Sequence, residues 1–265
     1  MLNLKKIVAG AALAAAMVGS MAIAPDVEAG KIEDIKARGY IMVGSTGDYK
    51  PMSYLNKETG EYEGFDAELA QALADSLKVK LVYVPTTWKT LTADTMAGKF
   101  DVAMCGITRT FARQEIMNMS TGYLSFGKTI LCQKKAAGQF KTVADLNKPS
   151  VRVMVNPGGT NEKFAREYLP NCTLLVHPQN AEIPGLIGEG KADVMITETM
   201  EARRYVRDNA KLAAPMIEKP LLDTKSQFGI LMAKGDQDLL NYVNFFMEEM
   251  DEKDKLDMWE DQYIK

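Results

Sequence analysis

Two carboxyl side chains, Glu198 and Glu201, lie three residues apart in the segment 197–201. If this segment begins a helix, both carboxyls lie on the same face. One could accept a hydrogen bond from a ligand's ammonium or hydroxyl group. The other, once desolvated, would have its pKa raised toward neutrality and could donate a proton. Acidic residues are also common in the first turn of a helix because the helix dipole favours them, so this segment alone favours a structural role.

A glycine-containing segment, 156–162, lies between a predicted strand and a predicted helix. Gly158 and Gly159 let the backbone approach a ligand closely, and the amides around Thr160 would lie at a helix N-terminus, which favours an anion. The segment lacks the Gly-Lys-Ser/Thr ending of nucleotide-phosphate loops, so a carboxylate is the better candidate. The alternative is an ordinary strand-to-helix turn in which Thr160 is the N-cap.

Three cationic side chains could hold such a carboxylate. Arg109 and Arg113 follow a predicted buried strand, where a guanidinium can bind a carboxylate through two parallel hydrogen bonds. Either arginine could instead lie on the surface. Lys128 is flanked by Gly127 and Thr129, and it could equally be a solvated loop residue.

Trp88 and Tyr49 lie in polar loops, where aromatic side chains often form the walls of ligand sites. Trp259, near the end of the sequence, is predicted to pack structurally. The single histidine, His177, is predicted to be a turn or hinge residue rather than a catalyst.

The composition excludes several other kinds of site. The 265 residues carry 32 Lys and Arg against 35 Asp and Glu, a formal net charge of −3, so nothing indicates a nucleic-acid partner. A single histidine leaves no His-rich metal site, and a Ser–His–Asp or Cys–His arrangement would need His177 as its base. These counts therefore disfavour zinc, haem and histidine-triad chemistry. The three cysteines have no CxxC spacing, so we predict no essential disulfide.

Residues 1–29 have the pattern of a secretory signal peptide. Lys5 and Lys6 form a positive start, residues 7–24 are apolar and uncharged, and Val27 and Ala29 place small side chains at the −3 and −1 positions of a cleavage site. The alternative is a transmembrane anchor, since the apolar run approaches the ~18 residues that can span a bilayer. Its Ala and Gly content and the cleavage site favour export. We predict a periplasmic protein that is cleaved near Ala29 and has no stable membrane insertion after processing.

Hydrophobic periodicity predicts an alternation of strands and helices after this leader. Such alternation indicates an α/β fold with mostly parallel strands. The predicted strands are 40–45, 81–84, 100–105, 151–155 and 174–177, and the predicted helices are 64–77, 90–97 and 159–169.

The segment 97–104, AGKFDVAM, is echoed by the segment 189–196, EGKADVMI. In both, a glycine closes a helix and a polar turn leads into a hydrophobic strand. The echo predicts two lobes that are built alike. Ligands of open α/β sheets bind beyond the carboxyl ends of the strands, so chemistry is expected in the segments that follow them. These segments are 46–50, 106–113, 156–160 and 197–201.

Several segments together resemble the type II periplasmic solute-binding fold, in its amino-acid-binding branch. The matching residues are Gly64-Phe65-Asp66 before a helix, Ile107-Thr108, Tyr123-Leu124 and Gly190-Lys191-Ala192-Asp193. The resemblance implies two lobes, a two-strand hinge and an interlobe cleft. The implied first lobe comprises residues 30–133 and 225–265 and the second comprises residues 134–224, with crossings near 132–134 and 225–230.

Within that branch, the sequence resembles the periplasmic cyclohexadienyl dehydratases more closely. The shared segments are 47–51, 85–88, 101–104, 127–129 and, most specific, 156–166. Ordinary amino-acid binders place their carboxylate-binding arginine two residues nearer the threonine at Thr108 than Arg113 lies here. Glu201 matches the general acid of the dehydratases, where plain binders have a small or apolar residue. Glu198 departs from the aspartate that both groups have.

The resemblance implies a hydro-lyase that converts prephenate to phenylpyruvate, and arogenate to phenylalanine, by acid-assisted loss of hydroxyl and carbon dioxide. This reaction needs no metal and no cofactor. Glu201 would then be the catalytic acid. The residues implied to bind the substrate are Tyr49, Trp88, Thr108, Arg113, Lys128, Gly158, Gly159, Thr160 and Glu198. The expected partner is a small dicarboxylate or amino-acid ligand. The alternative is a periplasmic amino-acid-binding protein that delivers its ligand to an ABC permease.

Overall fold

The computed structural model describes residues 30–265, and the signal peptide predicted for residues 1–29 lies outside the described residues. Helices and strands alternate along most of the described chain, as the hydrophobic periodicity predicts. The α-helices are α1 (Lys31–Arg38), α2 (Phe65–Leu77), α3 (Leu91–Met96), α4 (Phe111–Ile116), α5 (Val143–Leu146), α6 (Thr160–Tyr168), α7 (Ile183–Gly188), α8 (Thr199–Asp208), α9 (Gln237–Glu252) and α10 (Lys255–Tyr263). The strands are β1 (Tyr40–Ser45), β2 (Asp48–Tyr49), β3 (Ser53–Leu55), β4 (Tyr62–Glu63), β5 (Lys80–Pro85), β6 (Val102–Ala103), β7 (Asn118–Met119), β8 (Tyr123–Phe126), β9 (Lys128–Gln133), β10 (Arg152–Val155), β11 (Thr173–Val176), β12 (Val194–Glu198), β13 (Leu212–Ala213), β14 (Ser226–Phe228) and β15 (Leu231–Met232).

The first lobe is built on a five-stranded sheet in the order β5-β1-β6-β15-β7. β1 pairs in parallel with β5 and β6, whereas β15 pairs antiparallel with β6 and β7. Ile41 and Val43 of β1 share a buried core with Leu69 and Leu73 of α2. The parallel pairing brings the carboxyl ends of β1, β5 and β6 to one edge of the sheet.

The second lobe repeats this arrangement in a sheet of order β11-β10-β12-β9-β13. β10 pairs in parallel with β11 and β12, and β9 pairs antiparallel with β12 and β13. The two echoed sequence segments lead into β6 and β12, which are the middle strands of their sheets. The two similar lobes predicted from the echo are therefore confirmed, although each sheet is mixed rather than wholly parallel.

Two antiparallel strands, β8 and β14, connect the lobes, with Ser226 opposite Phe126. The predicted first crossing, near 132–134, is wrong, because β9 already pairs with β12 in the second sheet. Its buried residues Ile130, Leu131 and Cys132 belong to the cores of the second lobe. We therefore propose a first lobe of residues 30–127 and 225–265 and a second lobe of residues 128–224.

The C-terminal helices pack on the first lobe. α9 buries Leu239, Val243 and Phe246 in the core that contains α2. Trp259 of α10 is also buried there, with its ring edge-on to Phe65 at a centroid distance of 6.1 Å. Trp259 therefore packs structurally, as predicted.

The three cysteines are free thiols, with Cys105 and Cys132 buried and Cys172 partly exposed. Within residues 30–265, no helix combines the length and the apolar character needed to cross a membrane.

One buried carboxyl, that of Asp66, connects three parts of the first lobe. Asp66 lies in the first turn of α2, and its two oxygens accept hydrogen bonds from the Gly106 N–H at 2.5 Å and the Tyr123 hydroxyl at 2.7 Å. Gly106 begins the segment that follows β6, and Tyr123 begins the connecting strand β8. Burial raises the pKa of Asp66 to about 7, although both hydrogen bonds act to lower it.

The Asp66→Asn substitution should make stability less dependent on pH. The pKa of Asp66 rises from 3.8 to about 7 on folding. The protonated carboxyl therefore contributes fully to the free energy of unfolding below pH 3.8. This contribution is lost as the pH rises through about 7. Between pH 5 and pH 8 this loss is on the order of 3 kcal/mol.

We expect the difference in unfolding free energy between these two pH values, measured by urea denaturation, to be smaller in Asp66→Asn than in the wild type. The matched control is Asp75→Asn, which changes an exposed carboxyl on the same helix and should keep the wild-type dependence. An unchanged pH dependence in Asp66→Asn would contradict the assignment.

Candidate active site

A cavity of about 20 Å³ lies between the lobes, beyond the carboxyl ends of the sheet strands. Most of the predicted binding residues line it, and they come from both lobes. The lining residues are Tyr49, Trp88, Gly106, Thr108, Arg113, Asn156, Gly159, Thr160, Asn161, Asn180 and Glu198. The cavity therefore lies at the edge of the sheets where the strand-end rule expects a ligand.

Tyr49 and Trp88 form an aromatic wall on the first lobe. Their rings meet edge to face at a centroid distance of 5.6 Å, and Tyr49 also lies edge-on to Phe228 of β14. The Trp88 indole N–H donates to Asp48 Oδ1 at 3.0 Å, which fixes the orientation of the ring. The two rings therefore form one aromatic surface on the first-lobe side of the cavity.

Arg113 is the arginine that lines the cavity. Thr110 is the N-cap of α4 and accepts a hydrogen bond from the Arg113 N–H at 3.2 Å. The guanidinium folds back and donates to the Thr108 carbonyl oxygen at 2.6 Å. Arg109 instead lies in an exposed groove lined by residues such as Phe111. Of the two arginines, only Arg113 can reach a ligand in this cleft.

The glycine segment places the N-terminus of α6 at the cavity, but not through every predicted residue. Gly159 is the N-cap of α6, rather than Thr160, and both line the cavity. Gly158 is exposed and outside the cavity lining, and its N–H donates to Glu162 Oε2 at 2.6 Å. The Gly158 amide is therefore occupied, which corrects its predicted role as an anion donor.

Gly158 instead allows the two lobes to approach each other. Its φ is +85°, and a Cβ at this position would lie 2.7 Å from the Lys89 Cα of the first lobe. No other residue type fits this backbone conformation and this contact without displacing the chain.

Lys128 and Glu198 form a buried ion pair, of which Glu198 lines the cavity and Lys128 lies outside its lining. They are direct partners in the antiparallel register of β9 and β12, and Lys128 Nζ lies 2.9 Å from Glu198 Oε1. Lys128 Nζ also donates to Thr160 Oγ1 at 2.9 Å and to Asn161 Oδ1 at 2.7 Å. Lys128 is only 7% exposed, so the alternative that it is a solvated loop residue is wrong.

The second oxygen of Glu198 is also occupied. Oε2 accepts hydrogen bonds from the Tyr49 hydroxyl at 2.7 Å and from Asn161 Nδ2 at 3.3 Å. Burial alone would raise the pKa of Glu198, but the attraction of Lys128 and the hydrogen bonds from Lys128, Tyr49 and Asn161 outweigh it and lower the pKa. Glu198 is therefore an anion at neutral pH.

Glu201 lies in the first turn of α8 and is fully buried. Its carboxyl group contacts Thr197 Oγ1, the Tyr205 hydroxyl at 2.8 Å and Asn180 Nδ2 at 3.3 Å. Burial, followed by the negative charge of Glu198, raises the pKa of Glu201 to about 8 despite these hydrogen bonds. The carboxyl is therefore mostly protonated at pH 7 and can donate a proton.

Glu201 itself does not line the cavity, and it meets the cavity through Asn180. Two contacts between the lobes close this part of the cleft: the hydrogen bond from Tyr49 to Glu198 and one from Asn180 Nδ2 to the Asp48 carbonyl oxygen at 3.4 Å. A cavity of about 20 Å³ has room for roughly one water molecule. A larger ligand therefore needs the lobes to separate and these contacts to change.

Sequence reasoning missed three asparagines of the cavity wall, Asn156, Asn161 and Asn180. Asn156 directly follows β10 and Asn161 follows Thr160, so both were within segments already singled out. Asn180 would have been found by applying the strand-end rule to β11 as well. Tyr205 was also missed, although its position four residues after Glu201 on a helix places the two side chains on one face. His177 lies outside the cavity lining, where it pairs with Glu182 at 2.7 Å.

Comparison with known proteins identifies the family of the chain. The sequence profile of the bacterial extracellular solute-binding proteins, family 3, matches residues 41–265. The cyclohexadienyl dehydratase of Pseudomonas aeruginosa is 45% identical over 192 residues, which is 72% of this chain and 70% of that protein. The L-cystine-binding protein TcyJ of Escherichia coli is 28% identical over 239 residues, or 90% of this chain and 87% of that protein.

The solved structures that resemble this chain include the same two kinds of protein, cyclohexadienyl dehydratases and amino-acid-binding proteins. An ancestral amino acid-binding protein, described as a precursor of cyclohexadienyl dehydratase, superimposes with a TM-score of 0.82 at 36% identity and covers 88% of this chain and 99% of its own. An ancestral cyclohexadienyl dehydratase has a TM-score of 0.56 at 44% identity, with coverage of 90% and 98%. The two-lobed type II periplasmic binding-protein fold is therefore confirmed.

Replacement of Lys128 by methionine should destabilise the protein strongly. Breaking a buried ion pair by removing one partner costs about 3–5 kcal/mol, because the remaining charge is left without compensation. The loss should be greater at pH 8 than at pH 5, where Glu198 can take up a proton.

The double variant Lys128→Met/Glu198→Gln removes both charges and should recover most of this loss, as a double-mutant cycle of urea unfolding free energies would measure. A double variant no more stable than Lys128→Met would show that the pair is not electrostatically coupled.

Proposed function

The chain belongs to the bacterial extracellular solute-binding proteins, family 3, and from this premise we propose that it is a cyclohexadienyl dehydratase. It converts prephenate to phenylpyruvate and, as a second reaction, arogenate to phenylalanine. One observation carries this proposal: a dry carboxyl, that of Glu201, lies against Asn180 of the cleft wall, and its burial beside an ionised Glu198 raises its pKa to about 8. The 45% identity to the Pseudomonas aeruginosa enzyme supports it.

The reaction needs a proton donor and no redox step. The bond between the ring and its carboxylate breaks, carbon dioxide leaves, and the electron pair of that bond enters the ring. On the opposite side of the ring, the carbon–oxygen bond breaks, and the hydroxyl takes a proton and leaves as water. The ring becomes aromatic, so one proton and one prephenate dianion give phenylpyruvate, carbon dioxide and water.

Glu201 supplies that proton in our proposal. General acid catalysis by a positioned group contributes roughly 10²–10⁴-fold to the rate. After the transfer, the Glu201 carboxylate is stabilised by hydrogen bonds from Tyr205, Thr197 and Asn180, which already surround the carboxyl group. The same three donors hold the carboxyl in one orientation before the transfer.

The two carboxylates of the substrate are held from opposite lobes. Arg113, with Thr108, holds one of them from the first lobe. The N-terminus of α6 at Gly159 and Thr160 holds the other from the second lobe, and Lys128 positions Thr160 there through its own hydrogen bond. The aromatic wall of Tyr49 and Trp88 packs against the ring, and closure of the lobes excludes water from the reacting atoms.

The signal peptide predicted for residues 1–29 leads to a proposal about where the protein is located. We propose that the chain is exported to the periplasm and cleaved near Ala29, in keeping with the extracellular family to which it belongs.

A second candidate function is the binding of an amino acid for delivery to an ABC permease. The TM-score of 0.82 with an ancestral amino acid-binding protein favours it, as does the relationship to the cystine-binding protein. The fold serves both functions, so the chemistry of the cleft must separate them.

Turnover of prephenate by the purified chain, followed as formation of phenylpyruvate, tests the first function. We expect turnover above the acid-catalysed background, with kcat falling as the pH rises above about 8, because Glu201 loses its proton there. Glu201→Gln should lower kcat at least about 100-fold, since the amide cannot donate a proton of comparable acidity.

Glu218→Gln, which changes an exposed carboxyl, serves as the control and should retain wild-type turnover. A wild-type protein without turnover, or a Glu201→Gln variant with undiminished kcat, would refute the enzymatic function. Sub-micromolar binding of one of the twenty amino acids by a chain that leaves prephenate unchanged would establish the second function.

A further inference from the structure

We propose, on the basis of the proposed function, that this site selects 2-oxo dicarboxylates over the corresponding 2-amino dicarboxylates because Lys128 neutralises Glu198 from within the protein. From the sequence alone, a carboxylate at this position could accept a ligand's ammonium group. The geometry points to the opposite preference. Prephenate and arogenate are such a pair, since they differ only in the oxo or ammonium group of the side chain.

Both oxygens of Glu198 are already bonded to donors of the protein. Within the second lobe, Oε1 accepts from Lys128 and Oε2 accepts from Asn161, so both of these bonds remain when the lobes separate and the bond from Tyr49 is released. Glu198 is also the one acidic residue among those that line the cavity in the described chain. A ligand ammonium that enters this cleft therefore meets no carboxylate with free charge.

Lys128 is fixed in its place by the number of its hydrogen bonds. An ammonium group has three N–H donors, and the three acceptors Glu198 Oε1, Thr160 Oγ1 and Asn161 Oδ1 lie 2.7–2.9 Å from Nζ. Asn161 links the pair further, because its carbonyl oxygen accepts from Lys128 and its amide donates to Glu198. A rigid lysine of this kind does not move aside at low cost.

Like charges then decide the preference. A ligand ammonium that bonded to Glu198 would share one carboxylate with Lys128, and two cations so close together in a water-poor cleft repel each other strongly. With Glu201 protonated and the ion pair neutral, the remaining charge of the cavity wall is the single positive charge of Arg113. That charge attracts the dianion prephenate more strongly than arogenate, whose ammonium cancels one carboxylate.

A comparison of prephenate and arogenate, measured separately, tests the inference. We would measure kcat/KM for prephenate and arogenate in the wild type, and the rise in Tm with each ligand in a Glu201→Gln background that cannot consume it. The wild type should favour prephenate over arogenate by at least about tenfold, and prephenate should give the larger rise in Tm.

Two substitutions should move the ratio of kcat/KM for prephenate to kcat/KM for arogenate in opposite directions. Lys128→Met frees the negative charge of Glu198 and should shift the preference toward arogenate. Glu198→Gln leaves Lys128 unneutralised and should shift it further toward prephenate, and this variant keeps the test available if Lys128→Met fails to fold. Lys163→Met, which removes an exposed lysine of α6, the helix that carries the Lys128 partners Thr160 and Asn161, is the matched control and should keep the wild-type ratio.

The outcomes separate the inference from the proposed function. Turnover of both ligands with equal kcat/KM would overturn the inference while leaving the enzymatic function intact. Stabilisation by prephenate and not by arogenate, in a wild-type protein that turns over neither, would support the inference and refute the enzymatic function. Substitutions of Lys128 and Glu198 that leave the ratio unchanged would also overturn the inference.

Discussion

The site depends on two buried carboxyls that cannot both be charged. Glu198 and Glu201 are separated by two residues, and both are almost completely excluded from solvent. An isolated buried carboxylate is expensive, and a second one beside it is more so. Lys128 determines which of the two ionises, because it bonds directly to Glu198 and has no contact with Glu201 among its hydrogen bonds. The same ion pair therefore neutralises the charge of Glu198 and leaves Glu201 as the carboxyl that keeps its proton.

The fold produces this asymmetry through pairing between strands that are distant in the sequence. Lys128 and Glu198 face each other because β9 and β12 run antiparallel with a fixed register, and a shift of one residue would turn Lys128 to the opposite face of the sheet. Glu198 also ends β12 and is the N-cap of α8, so the helix that follows carries Glu201 and Tyr205 on one face. Contacts between the lobes, such as that of Tyr49 with Glu198, complete the exclusion of water.

Much of this arrangement could be predicted from the sequence, and the part that could not has identifiable physical causes. Periodicity predicted the strand at Tyr40–Ser45 and the helix that begins near Gly64, because both are determined by local patterns of burial. The strand-end rule located the segments of Tyr49, Arg113 and Thr160. The ion pair of Lys128 depends on a non-local register, and the role of Gly158 depends on the approach of Lys89 from the other lobe, so neither has a local signal. β9 was assigned to the wrong lobe because a buried strand has the same pattern in either sheet.

The location of a single proton is the most direct test of this account. Neutron diffraction from deuterium-exchanged crystals near pH 7 would show which carboxyl oxygens carry a deuteron. We predict a deuteron on the Glu201 carboxyl, none on either oxygen of Glu198, and three on Lys128 Nζ. A deuteron on Glu198 together with an ionised Glu201, or two ionised carboxyls, would contradict the account, because Glu201 would then have no proton to give to the departing hydroxyl group.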